Sequence, residues 1–214
     1  MNLEMHFTSR HRDPPLIADP RMLKSFAASV GLDAVAQDRH SSLLVFQMIV
    51  HAEAFGIDPS CIADEIKVLE GIGPATQTKP ATAFTPTGRL AGLHHKHFTS
   101  STISMVAGNI LAANGKKTMA RLAADELSVG ITEQSLGRFV DRLVMDGYDR
   151  RATAGGLTGE WIVFVEHGGK NYYLCLATHR GGDDEVLQYI RNVCHLEFPF
   201  LKTKLPNLFA EPPS

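Results

Sequence analysis

The sequence predicts an α+β fold, with helices packed on a small antiparallel sheet built around a C-terminal β-hairpin. Trp161-Ile162-Val163-Phe164-Val165 and residues 172–178 are β-branched and aromatic runs, and His167-Gly168-Gly169-Lys170 between them has turn chemistry. Other segments repeat apolar residues at helical spacing between serine, Asp-Pro and glycine boundaries. The resulting order is helices, a short strand, helices, hairpin and helix, which is not the alternation that builds a parallel sheet.

Taken along the chain, residues 1–19 are polar and carry Pro14-Pro15, and they read as an extended N-terminal arm. Residues 20–70 form a helical segment. Asp19-Pro20 supplies an N-cap followed by proline at the first helical position, and Gly31 lies past the end. Ser41 and Ser42 can cap a second helix running to about Phe55, whose Leu43, Leu44, Phe46, Met48, Ile49 and Val50 point in nearly every direction and mark it as buried. Asp58-Pro59 repeats the cap-plus-proline pattern for a third helix ending near Glu70, before Gly71.

Residues 71–88 change character: this connection is rich in proline and threonine and has no helical period. Such a length suits either a linker or a strap over a site. Residues 89–201 form an α+β segment. Its first part, 90–98, alternates as a strand, with Leu93, His95 and His97 on one face and His94, Lys96 and Phe98 on the other. Three helices follow, one with Ile103, Val106, Ala107, Ile110 and Leu111 ending at Asn114-Gly115, one over 116–127, and one with Leu136, Phe139, Val140, Leu143 and Val144. The hairpin and a last helix with Val186, Leu187, Ile190, Val193 and Cys194 complete it. Residues 202–214 read as a loose, proline-marked tail, and one compact domain is expected.

With 214 residues, 44% of them hydrophobic, the chain can bury a sizeable core, and a net charge of −2 excludes wholesale coating of a polyanion. Cys61, Cys175 and Cys194 are scattered and odd in number, so neither a disulfide framework nor a thiolate zinc site is implied, and a reducing compartment fits. The N-terminus lacks the apolar core of a secretory signal, and the apolar run 43–50 is too short to span a bilayer. A cytoplasmic protein without a membrane partner is expected.

Between Gly71 and Ala124 there is no Asp or Glu, while Lys79, Arg89, Lys96, Lys116, Lys117 and Arg121 all lie there. At its centre stand His94, His95, Lys96 and His97. This combination suits an anion, phosphate above all. On a strand, His95 and His97 lie about 7 Å apart, a spacing at which one imidazole can take a proton and the other give one. Lys96 is the candidate to neutralise charge building on the phosphate. His179 and Arg180 follow the second hairpin strand and are placed to complete the pocket, Arg180 by a bidentate hold. His94, Arg89 and Tyr173 are candidate substrate contacts, the tyrosine by stacking or hydrogen bonding.

The plainer alternative is a surface turn, or histidines bonded to backbone. A zinc reading would need His167 or His179 to join the pair, with Lys96 inside the cluster and carboxylates missing against it. No metal and no cofactor are therefore expected. P-loop, GxGxxG, GxSxG and HExxH motifs are absent.

Gly92-Leu93-His94-His95-Lys96-His97-Phe98, with Thr158-Gly159-Glu160-Trp161 and residues 171–179, resembles a bacterial protein family without an assigned activity, over about residues 86 to 201. More loosely, the helical start, small antiparallel sheet and His/Lys/Arg/Tyr complement are similar to bacterial ribonuclease toxins of the barnase, colicin and RelE-like kind. That similarity implies a metal-independent nuclease acting on RNA or another phosphate-bearing substrate, in a toxin or defence role. The alternatives are a non-catalytic protein binding nucleic acid, a nucleotide or a protein partner or inhibitor, and a zinc-dependent hydrolase.

Overall fold

In a computed structural model, the described residues are 5–9, 13–76, 78–98, 124–125, 161–177 and 182–210. The chain divides into two compact units. One comprises residues 1–76, 80–98 and 160–214, and the other residues 77–79 and 99–159. The boundary cuts through the segment 89–201 rather than following the changes in composition. The three helices read between 100 and 144 lie outside the described residues, apart from the helical pair 124–125.

The first unit is α+β, as expected. Strands β1 (Phe7–Ser9) and β2 (Leu16–Ala18) form an antiparallel hairpin. Helices α1 (Pro20–Ser29), α2 (Leu32–Ala36), α3 (Ser42–Phe55) and α4 (Ser60–Leu69) follow. A four-stranded antiparallel sheet then runs in the order β3 (Thr82–Ala83), β4 (His94–His97), β5 (Trp161–His167) and β6 (Lys170–Ala177). The chain closes with α5 (Gly182–Tyr189), a π-helical turn Ile190–Cys194, the short α6 (His195–Glu197), α7 (Phe200–Lys204) and a 3₁₀ turn, Pro206–Leu208.

Local signals act as expected at several boundaries. Asp19 accepts from the Met22 N–H at 2.8 Å, with Pro20 opening α1. The Ser41 hydroxyl accepts from the Leu44 N–H at 3.0 Å and starts α3, which Gly56 ends at a φ of +64°. Gly168 and Gly169 close the β5–β6 hairpin at φ of +57° and +73°, the backbone that a tight two-residue turn demands.

The sheet is covered on both faces. Ile162, Phe164, Tyr173 and Leu176 pack with α1–α4, while Val163, Val165, Leu174, Cys175 and Ala177 pack with Val186, Leu187, Ile190 and Leu201 of the closing helices. A bulge sets this up. Val163 pairs with Cys175 but Phe164 pairs with Tyr173, so Leu174 is the extra residue, and Leu174 and Cys175 both enter the second core.

The outer edge of β6 is sealed. Tyr173 donates to the Arg39 carbonyl at 2.7 Å, and the Ser41 N–H donates to the Tyr173 carbonyl at 2.9 Å. The Gln47 side chain completes the seal, accepting from the Leu176 N–H at 2.7 Å and donating to its carbonyl at 3.1 Å. Gln47, which interrupts the apolar run of α3, thus acts as a surrogate strand.

The structure adds detail to three of the expectations above. The N-terminal arm contains a hairpin, because Leu16 and Ala18 are buried in the first core. The tail is not loose through Leu208, because Leu205 and Leu208 are buried in the second core. The connection 71–88 contributes an edge strand, since Thr82 and Ala83 pair with His95 and His94.

Candidate functional site

Strand β4 consists entirely of His94, His95, Lys96 and His97, and so has no apolar face of its own. Its flanks fix the alternation. Leu93 is buried in one core and Phe98 in the other. His95 and His97 accordingly share a face with Leu93, as the sequence predicts.

On that face the two imidazole centroids lie 5.5 Å apart, nearly perpendicular. This is closer than the backbone spacing of about 7 Å, because both rings turn onto Trp161, the cross-strand partner of His97. The indole centroid is 4.9 Å from His95 and 6.2 Å from His97. Phe84 closes the group at 4.8 Å from His95 and 5.8 Å from Trp161. Its N–H donates to the Leu93 carbonyl, which extends the β3–β4 ladder and holds the ring beside His95. His97 is buried and His95 half-buried.

The opposite face holds the rest of the cluster. His94 stacks on Phe164, its cross-strand partner, at 5.3 Å, and its Nδ1 is buried without a hydrogen-bond partner among the described residues. Lys96 points into the first core and pairs with Glu65 of α4 at 2.8 Å, the two side chains being 3% and 4% exposed. Thr76 donates to the same Glu65 oxygen at 2.9 Å. Lys96 therefore does not join His95 and His97, because alternation carries it to the other side of the sheet.

The premise of a region emptied of carboxylates also fails in space. Glu65 comes from outside the acid-free stretch to neutralise Lys96, and Asp184 of α5 pairs with Arg89. Arg89 and its partner are both largely exposed, so that pair stays open to exchange with solvent ions.

Tyr173 is likewise corrected. It is fully buried, and its hydroxyl donates to Glu70 at 2.6 Å. Glu70 is held in turn by Arg39 through two parallel bonds of 2.8 and 2.7 Å, and Arg39 also donates to the Asn171 and Val35 carbonyls. Burial alone would raise the Glu70 carboxyl, but the hydrogen bonds from Arg39 and Tyr173 outweigh it and hold the group below the usual carboxylate range. Burial and the same carboxylate push the Tyr173 hydroxyl far up, so it stays protonated. This network ties α2 and α4 to β6 and leaves no ring for a ligand. Tyr172, on the other face, packs against Phe198 and Phe200.

His167 stacks on Phe200 at 3.9 Å, at the hairpin end of β5. It stands six residues along the strand from Trp161, about 20 Å at the usual rise, so it cannot complete a metal site with His97. Among the described residues, no group of three His, Cys, Asp or Glu side chains is arranged to hold a metal ion, and no helix is long and apolar enough to cross a membrane. His179 and Arg180 lie outside the described residues. They follow Ala177, which pairs with Trp161, by two and three positions.

Sequence reasoning missed Phe84 and Glu65, and read Trp161 only as a core anchor. Each left a trace. Thr82-Ala83-Phe84 between Pro80 and Pro86 is a short edge-strand pattern. Glu65 interrupts the apolar stripe of Ile62, Ile66 and Leu69, which signals a buried partner. No family model, no curated protein and no solved structure matches the chain, so the chemistry of the site itself must carry the functional reading.

Proposed function

We propose that the protein is a metal-independent enzyme acting on a phosphate ester, RNA being the most concrete case, with His95 and His97 as its acid–base pair. The observation that supports this is the 5.5 Å separation of two imidazoles on one strand face, beside Trp161. Hydrogen bonds of about 2.8 Å from two such rings can embrace one phosphodiester. One imidazole removes the proton from the attacking 2′-hydroxyl, and the other delivers a proton to the departing 5′-oxygen. Lys96 is excluded from this reading by its pairing with Glu65. Charge neutralisation is assigned to Arg180, with His179 as the third imidazole, on their sequence positions just beyond the strand that pairs with Trp161.

The test is an RNA digestion time course. Replacing His95 or His97 by alanine should slow cleavage on the order of 10²–10⁴-fold each, with circular dichroism unchanged and EDTA without effect. Cleavage that survives in the double variant overturns the assignment, and cleavage abolished by EDTA moves it to a metal-dependent hydrolase.

A second reading is favoured by the burial of His97, which restricts its access to a reacting group. In it the protein binds a nucleic acid, nucleotide or protein partner without turning it over. Its signature is salt-sensitive binding that is indifferent to glutamine at positions 95 and 97.

A further inference from the structure

The ring beside the imidazole pair comes from the connection 71–88. Phe84 lies one residue beyond β3, and its backbone bond to Leu93 puts it on the same face as His95 and His97. The remainder of that connection from Ala81 to Thr87 is exposed, yet the phenyl ring is tucked to half burial against the second core. The ring packs edge-on against Trp161 and beside His95, and the part of it left open to solvent is an aromatic surface next to the imidazoles. The Phe84 and His95 rings touch, with centroids 4.8 Å apart, so the phenyl ring borders the imidazole pair directly.

We propose that Phe84 is the base platform of this site, so that its ligand is a phosphate carrying an unpaired nucleobase, in a nucleotide or a single-stranded nucleic acid. This inference rests on the acid–base reading of His95 and His97 and narrows it. A base stacked on Phe84 cannot also be paired within a duplex, so single strands are the substrate and double helices are refused. The platform is tolerant of sequence because every base offers a π-face. Phe84 thereby acts on affinity rather than on the chemical step.

The experiment is calorimetric titration of the full chain with ribose 5-phosphate, uridine 5′-monophosphate and adenosine 5′-monophosphate. The His95 and His97 imidazole proton resonances, assigned from glutamine variants, are followed in parallel. The nucleotides should bind about tenfold or more tightly than ribose 5-phosphate. Phe84→Leu, which keeps an apolar side chain for the core, should lose that preference, and Phe84→Trp should keep it. Equal affinity for all three ligands overturns the base platform while leaving the phosphate reading intact, provided the imidazole resonances move. Full nucleotide preference in Phe84→Leu also overturns it. Imidazole resonances unmoved by every ligand overturn the phosphate reading and the platform together.

Discussion

Two acidic side chains, Glu65 within α4 and Glu70 just past its end, face different problems. Glu65 meets Lys96 where both are almost fully removed from water. Removing either partner leaves an uncompensated buried charge, so Lys96→Ala should destabilise the fold by about 3–5 kcal/mol in urea denaturation. Replacing both by apolar residues of similar volume, as in Lys96→Met with Glu65→Leu, should recover most of that loss. A Lys96→Ala protein of unchanged stability would show that the pair is dispensable. Glu70 responds to acid instead. Its native carboxyl titrates lower than the unfolded one, so its contribution is complete above the ordinary glutamate value of about 4.3 and is lost as pH falls through the lowered native value. The melting temperature should therefore fall on acidification below about pH 4, and the curve for Glu70→Gln should be flatter over the same window.

At the scale of elements, an amide side chain substitutes for a strand. Gln47 holds both backbone groups of Leu176 from within the apolar run of α3. Gln47→Leu fits the helix but leaves a donor and an acceptor unsatisfied at a covered edge, at a cost of about 1–3 kcal/mol for each group. The Leu176 amide should then exchange with deuterium much faster than its neighbours on β6, and uniform exchange along the strand would contradict this role. Elements built from neighbouring residues were legible in the sequence. The β5–β6 hairpin needs only alternating residues and Gly168-Gly169, and α1 and α3 announce their caps through Asp19 and Ser41. Elements that depend on distant pairing were not. Thr82 becomes a strand residue only because His95 lies beside it, and Leu205 and Leu208 are ordered by a core assembled from the sheet.

Across the whole molecule, the same distinction separates what the sequence showed of the site from what it hid. The adjacency of His95 and His97 follows from strand alternation, and it could be seen in four consecutive letters. The fate of Lys96, Arg89 and Tyr173 could not, because their partners Glu65, Asp184 and Glu70 lie 31, 95 and 103 positions away. A gap in charge along the chain is no guarantee of a gap in space. The second unit adds a topological fact of the same order. Its main segment, 99–159, begins two residues after His97 and ends two residues before Trp161, which are directly paired.

Trp161 is the only tryptophan in the chain, so the protein's indole emission arises wholly from a ring 4.9 Å from His95. A protonated imidazole quenches an adjacent indole, whereas a neutral one quenches it far less. The emission intensity of the folded protein should therefore report on the state of His95, and His95→Gln should change it while leaving the fold intact. Without any attached dye, the molecule carries a light source aimed at its own paired imidazoles.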